Sequence, residues 1–182
     1  MKMRAPLHFN GFLGCLLLCS IALVACHTSK SLAERETEAK NLFNDTATSF
    51  HLPSATANGP ARAQLLEKAA RGYEKVLSDY GDLRHWSAAA LRSLANIRAE
   101  QGRLDDAIRL YEKVARQHPS EEWEILQSWK TAADLLWDAG QPARARGFYQ
   151  RIIAKFDHPD AIPIVKIIVN QSKKRTAAPR KS

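Results

Sequence analysis

The sequence is poor in the residues and motifs on which enzymatic and metal chemistry depend. It contains three cysteines in 182 residues, with no cysteine pair at zinc-binding spacing, no His-Glu-x-x-His helix and no Gly-x-Ser-x-Gly turn. Its eight glycines are scattered and form no phosphate-binding loop, and no two of its six histidines lie within helical reach of each other. We therefore predict a protein that is not an enzyme and that uses no metal or other cofactor.

Positive charge is abundant but lies mostly at the two ends of the chain. The formal net charge is +8. Seven basic residues are terminal: Lys2, Arg4, Lys173, Lys174, Arg175, Arg180 and Lys181. Without these seven, the remaining chain is close to neutral. The basic isoelectric point therefore does not indicate a nucleic-acid-binding surface, and we predict no nucleic-acid partner.

The N-terminal segment has the pattern of a bacterial export signal. Residues 1–11 carry two basic residues and no acid, and residues 12–25 form an apolar run of 14 residues. This run is too short for a comfortable membrane span. The sequence LVAC at 23–26 resembles a lipobox, the signal for acylation of the cysteine thiol and for cleavage before it. We predict a lipoprotein signal peptide over residues 1–25 and lipidation of Cys26.

The cysteine count supports this lipidation. Cys15 and Cys19 would leave with the signal peptide, so Cys26 would be the one cysteine of the mature chain and no intramolecular disulfide could form. The alternative is an ordinary signal peptide with an incidental cysteine. His27 stands where some lipoproteins have an aspartate that retains them in the inner membrane. By resemblance to enterobacterial sorting, we predict an outer-membrane anchor that faces the periplasm.

A helical segment recurs along the chain with a period of 38 residues. The sequences YEKVL, YEKVA and YQRII begin at Tyr73, Tyr111 and Tyr149, and an alanine lies four positions before each tyrosine. Gly102 and Gly140 keep the same period, and each stands between two amphipathic stretches. A repeat in this range with one helix pair per unit is typical of an α-solenoid.

The repeating residues resemble the tetratricopeptide family over residues 61–159. With Ala88 as the first position of its unit, five residues fall on signature positions: Leu91, Ala95, Ala107, Tyr111 and Pro119. In the next unit Trp129 takes the signature tryptophan position. The period here exceeds the usual period of about 34 residues, and Arg98 and Leu136 stand where the family has an aromatic residue. The resemblance implies an all-α, tetratricopeptide-like solenoid of antiparallel helix pairs.

The first unit of this solenoid is incomplete. Residues 26–60 are predicted to be a lipid-anchored tether with a candidate helix over Leu32–Phe50 and a loop over Pro53–Pro60, and the helical domain is predicted over residues 61–170. Two arrangements are open. Either the helix at Leu32–Phe50 fills the missing place across a long loop, which we favour, or only the second helix of this unit exists.

The C-terminal end has two features with open roles. A last helix is predicted from Ala161 to about Asn170, and its apolar run either caps the solenoid, which we favour, or contacts a second copy or a partner. Residues 171–182 are polar and basic, and we predict that they are disordered. This tail either solubilises the protein or contacts anionic lipid or an anionic cell-wall polymer.

The resemblance also implies a candidate partner-binding groove on the inner face, which the first helix of each pair lines. Five candidate residues occupy its ligand-facing positions: Arg92, Asn96, Lys130, Asp134 and Trp137. The cations and the amide suit a backbone carbonyl or a carboxylate, and the indole suits an aromatic anchor. The alternative is that these are ordinary solvated positions and that Trp137 packs on the capping helix.

Together these patterns predict a lipid-anchored periplasmic scaffold that mediates protein–protein interaction in envelope assembly, of the outer-membrane-protein, Tol–Pal, pilus or secretion type. Its expected partners are envelope proteins, and its N-terminal lipid is expected to hold it at the membrane. The alternative is a peptidoglycan-associated protein that contacts the cell wall or its synthases through the basic tail.

Overall fold

Eight α-helices make up most of the structure. The computed structural model describes residues 30–177, so the predicted signal peptide, Cys26 and residues 178–182 lie outside the described residues. The helices are α1 (Leu32–Thr46), α2 (Leu52–Ser54), α3 (Gly59–Asp79), α4 (Arg84–Glu100), α5 (Leu104–Gln117), α6 (Glu122–Asp138), α7 (Pro142–Phe156) and α8 (Pro163–Ala177). A π-helical turn, Ala47–His51, joins α1 to α2. Residues 30–177 contain no strand, and the predicted all-α fold is confirmed. None of these helices combines the length and the apolar character that crossing a bilayer requires.

Two glycines end the first helices of the two complete pairs. Gly102 and Gly140 have φ angles of 75° and 72°, in the left-handed region that glycine enters without steric cost. In both turns the next backbone amide donates to the carbonyl five residues earlier, at 2.8 Å. This bond satisfies a carbonyl at the helix end, so α4–α5 and α6–α7 are hairpins with the same turn.

The repeated tyrosines lie in the core at equivalent places. Tyr73, Tyr111 and Tyr149 are buried, and so is the alanine one turn before each of them. Links of three to six residues join the helices from α3 to α8, and such short links make neighbours antiparallel. Each helix from α3 onward packs on the next one along the chain. The predicted solenoid of antiparallel pairs is therefore confirmed.

Helix α1 takes the place of the missing first helix in the first unit. It packs on α3 and α4, and the ring of Phe43 lies 5.2 Å from that of Tyr73 and 5.7 Å from that of Trp86. Of the two arrangements that the sequence left open, the structure has the favoured one, in which the N-terminal helix fills the missing place. The apolar face of α1 is sparse, with Ala39 buried and Leu42 and Phe43 half-buried, but it packs on its neighbours, so α1 belongs to the helical body and not to the tether in which the sequence pattern placed it.

Helix α8 packs on α7 and is longer than predicted. Ile168 and Val169 are buried against the last pair, as expected for a capping helix. The helix continues to Ala177. The predicted helix end and the predicted disorder from Gln171 are therefore wrong for residues 171–177.

Three contacts order the C-terminal turns of α8. They are Ser172 Oγ to the carbonyl of Ile168 at 2.9 Å, Lys173 Nζ to Asp157 Oδ2 at 2.6 Å, and the Arg175 guanidinium over the Trp137 ring at 4.6 Å. The last two join the basic segment to residues far back in the sequence. A prediction from local composition does not include such contacts, which explains why it failed here.

Candidate functional site

The five predicted groove residues lie on α4 and α6, the first helices of the two complete pairs. Arg92 and Asn96 are one turn apart on α4, and Lys130 and Asp134 occupy the same two positions of the repeat on α6. Trp137 follows at the end of α6. All five side chains are half-buried, and each contacts another side chain of this protein.

Buried tyrosine hydroxyls hold the polar residue at one repeated position. The hydroxyl of Tyr111 donates to Asn96 Oδ1 at 2.6 Å, and that of Tyr149 donates to Asp134 Oδ1 at 2.7 Å. Burial raises the pKa of both phenols, and the hydrogen bond to Asp134 raises the pKa of Tyr149 further. Both tyrosines therefore stay protonated and keep donating. Each unit thus presents a fixed polar side chain, an amide in one and a carboxylate in the next.

An ion pair links the first helices of the adjacent units. Arg92 Nε donates to Glu124 Oε2, and the Glu124 side chain is only 8% exposed. Glu124 was not predicted as a site residue because 32 residues separate the pair and because the helix dipole already explains an acidic residue in a first helical turn. Arg92 is therefore paired within the fold, and a ligand carboxylate would have to compete with Glu124 for it.

A cleft of about 520 Å³ opens beside Lys130 and Asp134. Lys130 Nζ lies 2.6 Å from Asp134 Oδ2, and α8 contributes Gln171, Lys174 and Arg175 to the lining. Of the five predicted residues, these two line the cleft and the other three do not. The α8 residues were not predicted because the apolar run of that helix ends before Gln171.

Two arginines and a tyrosine surround the ring of Trp137. The Arg175 guanidinium lies 4.6 Å from the centre of its ring, and Arg146 lies 5.8 Å away. The ring of Tyr149 stands edge-on at 6.3 Å. A cation stacked on an indole is held by the ring electrons. Trp137 thus contacts the capping helix, as the alternative interpretation of this residue expected. To serve as an aromatic anchor for a partner, Trp137 would need Arg175 to move aside.

The rest of the described chain offers little for catalysis or metal binding. Residues 30–177 contain no group of three or more acidic, histidine or cysteine side chains that could hold a metal ion. One serine and histidine pair exists, with His118 Nε2 3.2 Å from Ser87 Oγ. Both residues are buried, and within the described residues His118 Nδ1 has no hydrogen-bond partner. The pair therefore lacks the carboxylate that orients the histidine of a hydrolytic triad.

The family model of the tetratricopeptide repeat matches residues 86–157, which run from the first turn of α4 to the end of α7. These residues are tetratricopeptide repeats. Repeats of this family indicate a scaffold for protein–protein interaction. Curated proteins include no match to this chain.

Helices α1, α3 and α8 lie outside the matched tetratricopeptide repeats but extend the same stack. Helix α1 supplies the first helix of the unit that α3 completes, and α8 takes the position of a further first helix beyond α7. The inner face of the stack therefore extends from α4 and α6 to α8, which lines the cleft beside Lys130.

Proposed function

We propose that this protein is a lipid-anchored scaffold of the bacterial cell envelope that faces the periplasm from the outer membrane. In this role it holds protein partners during envelope assembly, of the outer-membrane-protein, Tol–Pal, pilus or secretion type. The observation that carries the proposal is the order of segments along the chain. An apolar run ends at Ala25, Cys26 and a short link follow, and a repeat domain with a polar inner face comes next.

The link between the proposed anchor and the fold is short. Five residues separate Cys26 from Leu32, the first residue of α1, and an extended chain of this length reaches about 20 Å. Acyl chains contribute about 0.8 kcal/mol per buried methylene, so two or more chains give a stable attachment. The proposed anchor therefore keeps the repeats close to the membrane.

The anchor is tested by mass spectrometry of the protein isolated from bacterial membranes. We expect the mature chain to begin at Cys26 with acyl groups on that residue, and we expect the Cys26→Ser chain to leave the membrane fraction. An unacylated residue 26, or a Cys26→Ser chain that fractionates like the wild type, would contradict the proposal.

The proposed partner site is the cleft beside Lys130 on the inner face. The cleft presents three cations and two carboxylates, from Lys130, Lys174, Arg175, Asp134 and Asp138. A polypeptide offers backbone donors and acceptors in equal number. The mixture of charges therefore suits a protein segment better than a purely anionic ligand.

Crosslinking at the membrane identifies the partner, and co-purification then compares variants. We expect Lys130→Ala with Arg175→Ala to lose the partner, because the cleft loses one cation from α6 and one from α8. Lys40→Ala with Arg109→Ala removes two exposed cations from α1 and α5 and should retain it. Arg92 is left intact, since its removal would leave the buried Glu124 unpaired. Partner recovery unchanged in the first double variant would dismiss the inner-face site.

A peptidoglycan-associated role is the second candidate. The residues after Asp160 include basic residues and no acidic ones, and such a segment suits contact with an anionic cell-wall polymer. Deletion from Gln171 is unsuitable as a test, since it would remove the buried Ser172. Deletion of residues 178–182 together with Lys166→Gln removes basic charge without touching the proposed partner site. If the wall is the target, this variant should lose co-sedimentation with isolated cell wall and keep the protein partner. Unchanged co-sedimentation would reject the role.

A further inference from the structure

Neighbouring helices of the solenoid are antiparallel, so helix starts and helix ends alternate along each of its edges. One edge contains the starts of α1, α4, α6 and α8 and the ends of α3, α5 and α7. We call this the amino edge, and it comprises residues 32–35, 80–86, 118–123 and 157–164. Polar contacts join the helices along it: Arg35 pairs with Asp82 at 2.6 Å, His85 Nδ1 lies 3.5 Å from Glu121 Oε2, and Lys155, two residues before the edge segment that follows α7, pairs with Glu122 at 3.2 Å. The amino edge is therefore one continuous surface.

The amino edge carries most of the large apolar side chains that the described residues leave exposed. Four of the six such side chains lie on it: Leu32, Trp123, Ile162 and Ile164. Ile167 follows one turn further along α8, and Leu52 lies on the opposite edge. Trp123 and Ile162 also line one common cleft. Single exposed apolar residues are ordinary, but their concentration on one edge indicates an interaction surface.

We infer that the amino edge lies on the lipid bilayer that holds the acylated N-terminus, an inference that rests on the proposed lipid anchor. The chain enters the fold at Leu32, which lies on this edge and is separated from Cys26 by only five residues. The anchor therefore brings the amino edge to the membrane surface first. Tryptophan is favoured at the boundary between head groups and acyl chains, and aliphatic side chains insert just below it.

The polar residues of the amino edge also fit a lipid surface. Exposed charges of both signs stand between the apolar side chains, among them Asp82, Arg84 and Asp160. The cores of protein–protein interfaces are depleted in such charges, whereas zwitterionic head groups accept both signs. The five-residue link after Cys26 also favours this contact. It keeps the amino edge at a high local concentration beside the bilayer, so that individually weak contacts with lipid become effective.

This placement orients the proposed partner site. With the amino edge on the bilayer, α4 and α6 stand away from the membrane, and the turns at Gly102 and Gly140 lie about 25 Å above it, the length of a helix of this size. The cleft beside Lys130 then opens sideways, parallel to the membrane surface. A partner bound there would be held at a fixed height above the bilayer.

The experiment uses the full acylated mature protein in vesicles whose phospholipids carry bromine on the acyl chains near the head groups. Bromine quenches tryptophan fluorescence on contact. We expect Trp123→Phe to remove the largest part of the quenching and Trp137→Phe, its control on the inner face, to leave it unchanged. Leu32→Ser with Ile162→Ser should weaken the quenching by about twofold or more, because the edge loses two of its inserting side chains. Leu52→Ser is the matched control, since Leu52 and Leu32 are both 66% exposed and lie on opposite edges.

The outcomes separate this inference from the proposed anchor. An acylated, membrane-bound protein whose Trp123 is not quenched would overturn the inference and leave the anchor intact. The same result with Trp123 crosslinked to another chain would assign the edge to a protein partner or a second copy. A chain without acyl groups on Cys26 would overturn the anchor and the inference together. Quenching lost in Trp123→Phe and kept in Leu52→Ser would support both.

Discussion

At the residue scale, Gly72 marks a close approach of α1 to α3. A Cβ atom at this position would lie 2.4 Å from Oγ1 and 2.5 Å from Cγ2 of Thr46. Thr46 is buried, and its hydroxyl donates to the carbonyl of Leu42 at 2.7 Å. Turning this side chain away would break that hydrogen bond. Any larger residue at position 72 therefore forces the two helices apart.

We expect Gly72→Ala to lower the free energy of unfolding by about 1–2 kcal/mol, because overpacking outweighs the gain in helix propensity. Gly147→Ala is the matched control, since a Cβ atom there meets nothing within 4 Å. That change should raise the free energy of unfolding by about 0.5–1 kcal/mol. Urea unfolding followed by circular dichroism measures both. Equal effects of the two substitutions would contradict the tight contact between α1 and α3.

His118 should make the fold sensitive to mild acid. Burial lowers its pKa below the ordinary value of 6.5, Lys113 lowers it further and Glu121 opposes the shift. The folded state therefore favours the neutral ring more than the unfolded chain does. The unfolded chain has the ordinary histidine pKa of 6.5, so the resulting stabilisation of the folded state is complete above this pH. It is lost as the pH falls through the lower pKa of His118 in the folded state.

Thermal unfolding between about pH 7.5 and about pH 5 tests this expectation, since only groups that titrate there contribute to the slope. The melting temperature of the wild type should fall across this window, and that of His118→Gln should fall less. Asp79 and Asp82, whose pKa values are lowered below 3.8 by Lys75 and Arg35, lose their pairing at more acidic pH. A His118→Gln profile parallel to the wild type would show that His118 does not cause the acid sensitivity.

At the element scale, the Arg92–Glu124 pair should couple α4 to α6. We expect Arg92→Ala and Glu124→Ala each to cost about 2 kcal/mol, because each leaves a charge in a half-buried place without its partner. The double variant should cost clearly less than the sum of the two. A double-mutant cycle from urea unfolding measures the difference.

The matched control for this cycle is the exposed pair Arg71–Glu67 within α3, 3.1 Å apart. Exposed pairs one turn apart couple by about 0.3–0.5 kcal/mol. If the coupling of Arg92 with Glu124 is no larger than this, then the pair does not hold the two helices together.

The elements themselves were predictable where the signal is periodic. The tyrosines 38 residues apart and the glycines between the helices predicted both complete pairs, because local turn chemistry and core packing repeat with the same period. The contacts between units have no such period. Arg92 meets Glu124 and Arg175 meets Trp137 only after the stack has formed, so the composition of each segment does not contain them. For this reason the sequence predicted the helices that carry the groove residues, but not the side chains of the same chain that contact them.

At the scale of the whole molecule, the described core divides into two clusters that share α4. One cluster joins α3 to α4, with Phe43 of α1 packed against it, and the other extends from α4 to α8. Leu77 and Leu110 contact both clusters. In a solenoid, each unit is stabilised chiefly by its nearest neighbours. The two ends should therefore open separately before the whole fold is lost.

Ile168→Ala tests this division because it removes a buried side chain from the contact between α8 and α7. We expect a loss of about 3 kcal/mol in the stability of that end, whereas Ile167→Ala, one residue away and exposed, should change it by less than about 0.5 kcal/mol. Native-state hydrogen exchange, read on peptides by mass spectrometry, should show faster exchange in α7 and α8 of the first variant. Exchange in α3 should stay at the wild-type rate, because its cluster loses no contact. Equal acceleration in α3 and α8 would mean that the stack opens as a single unit, and the division into two ends would then be wrong.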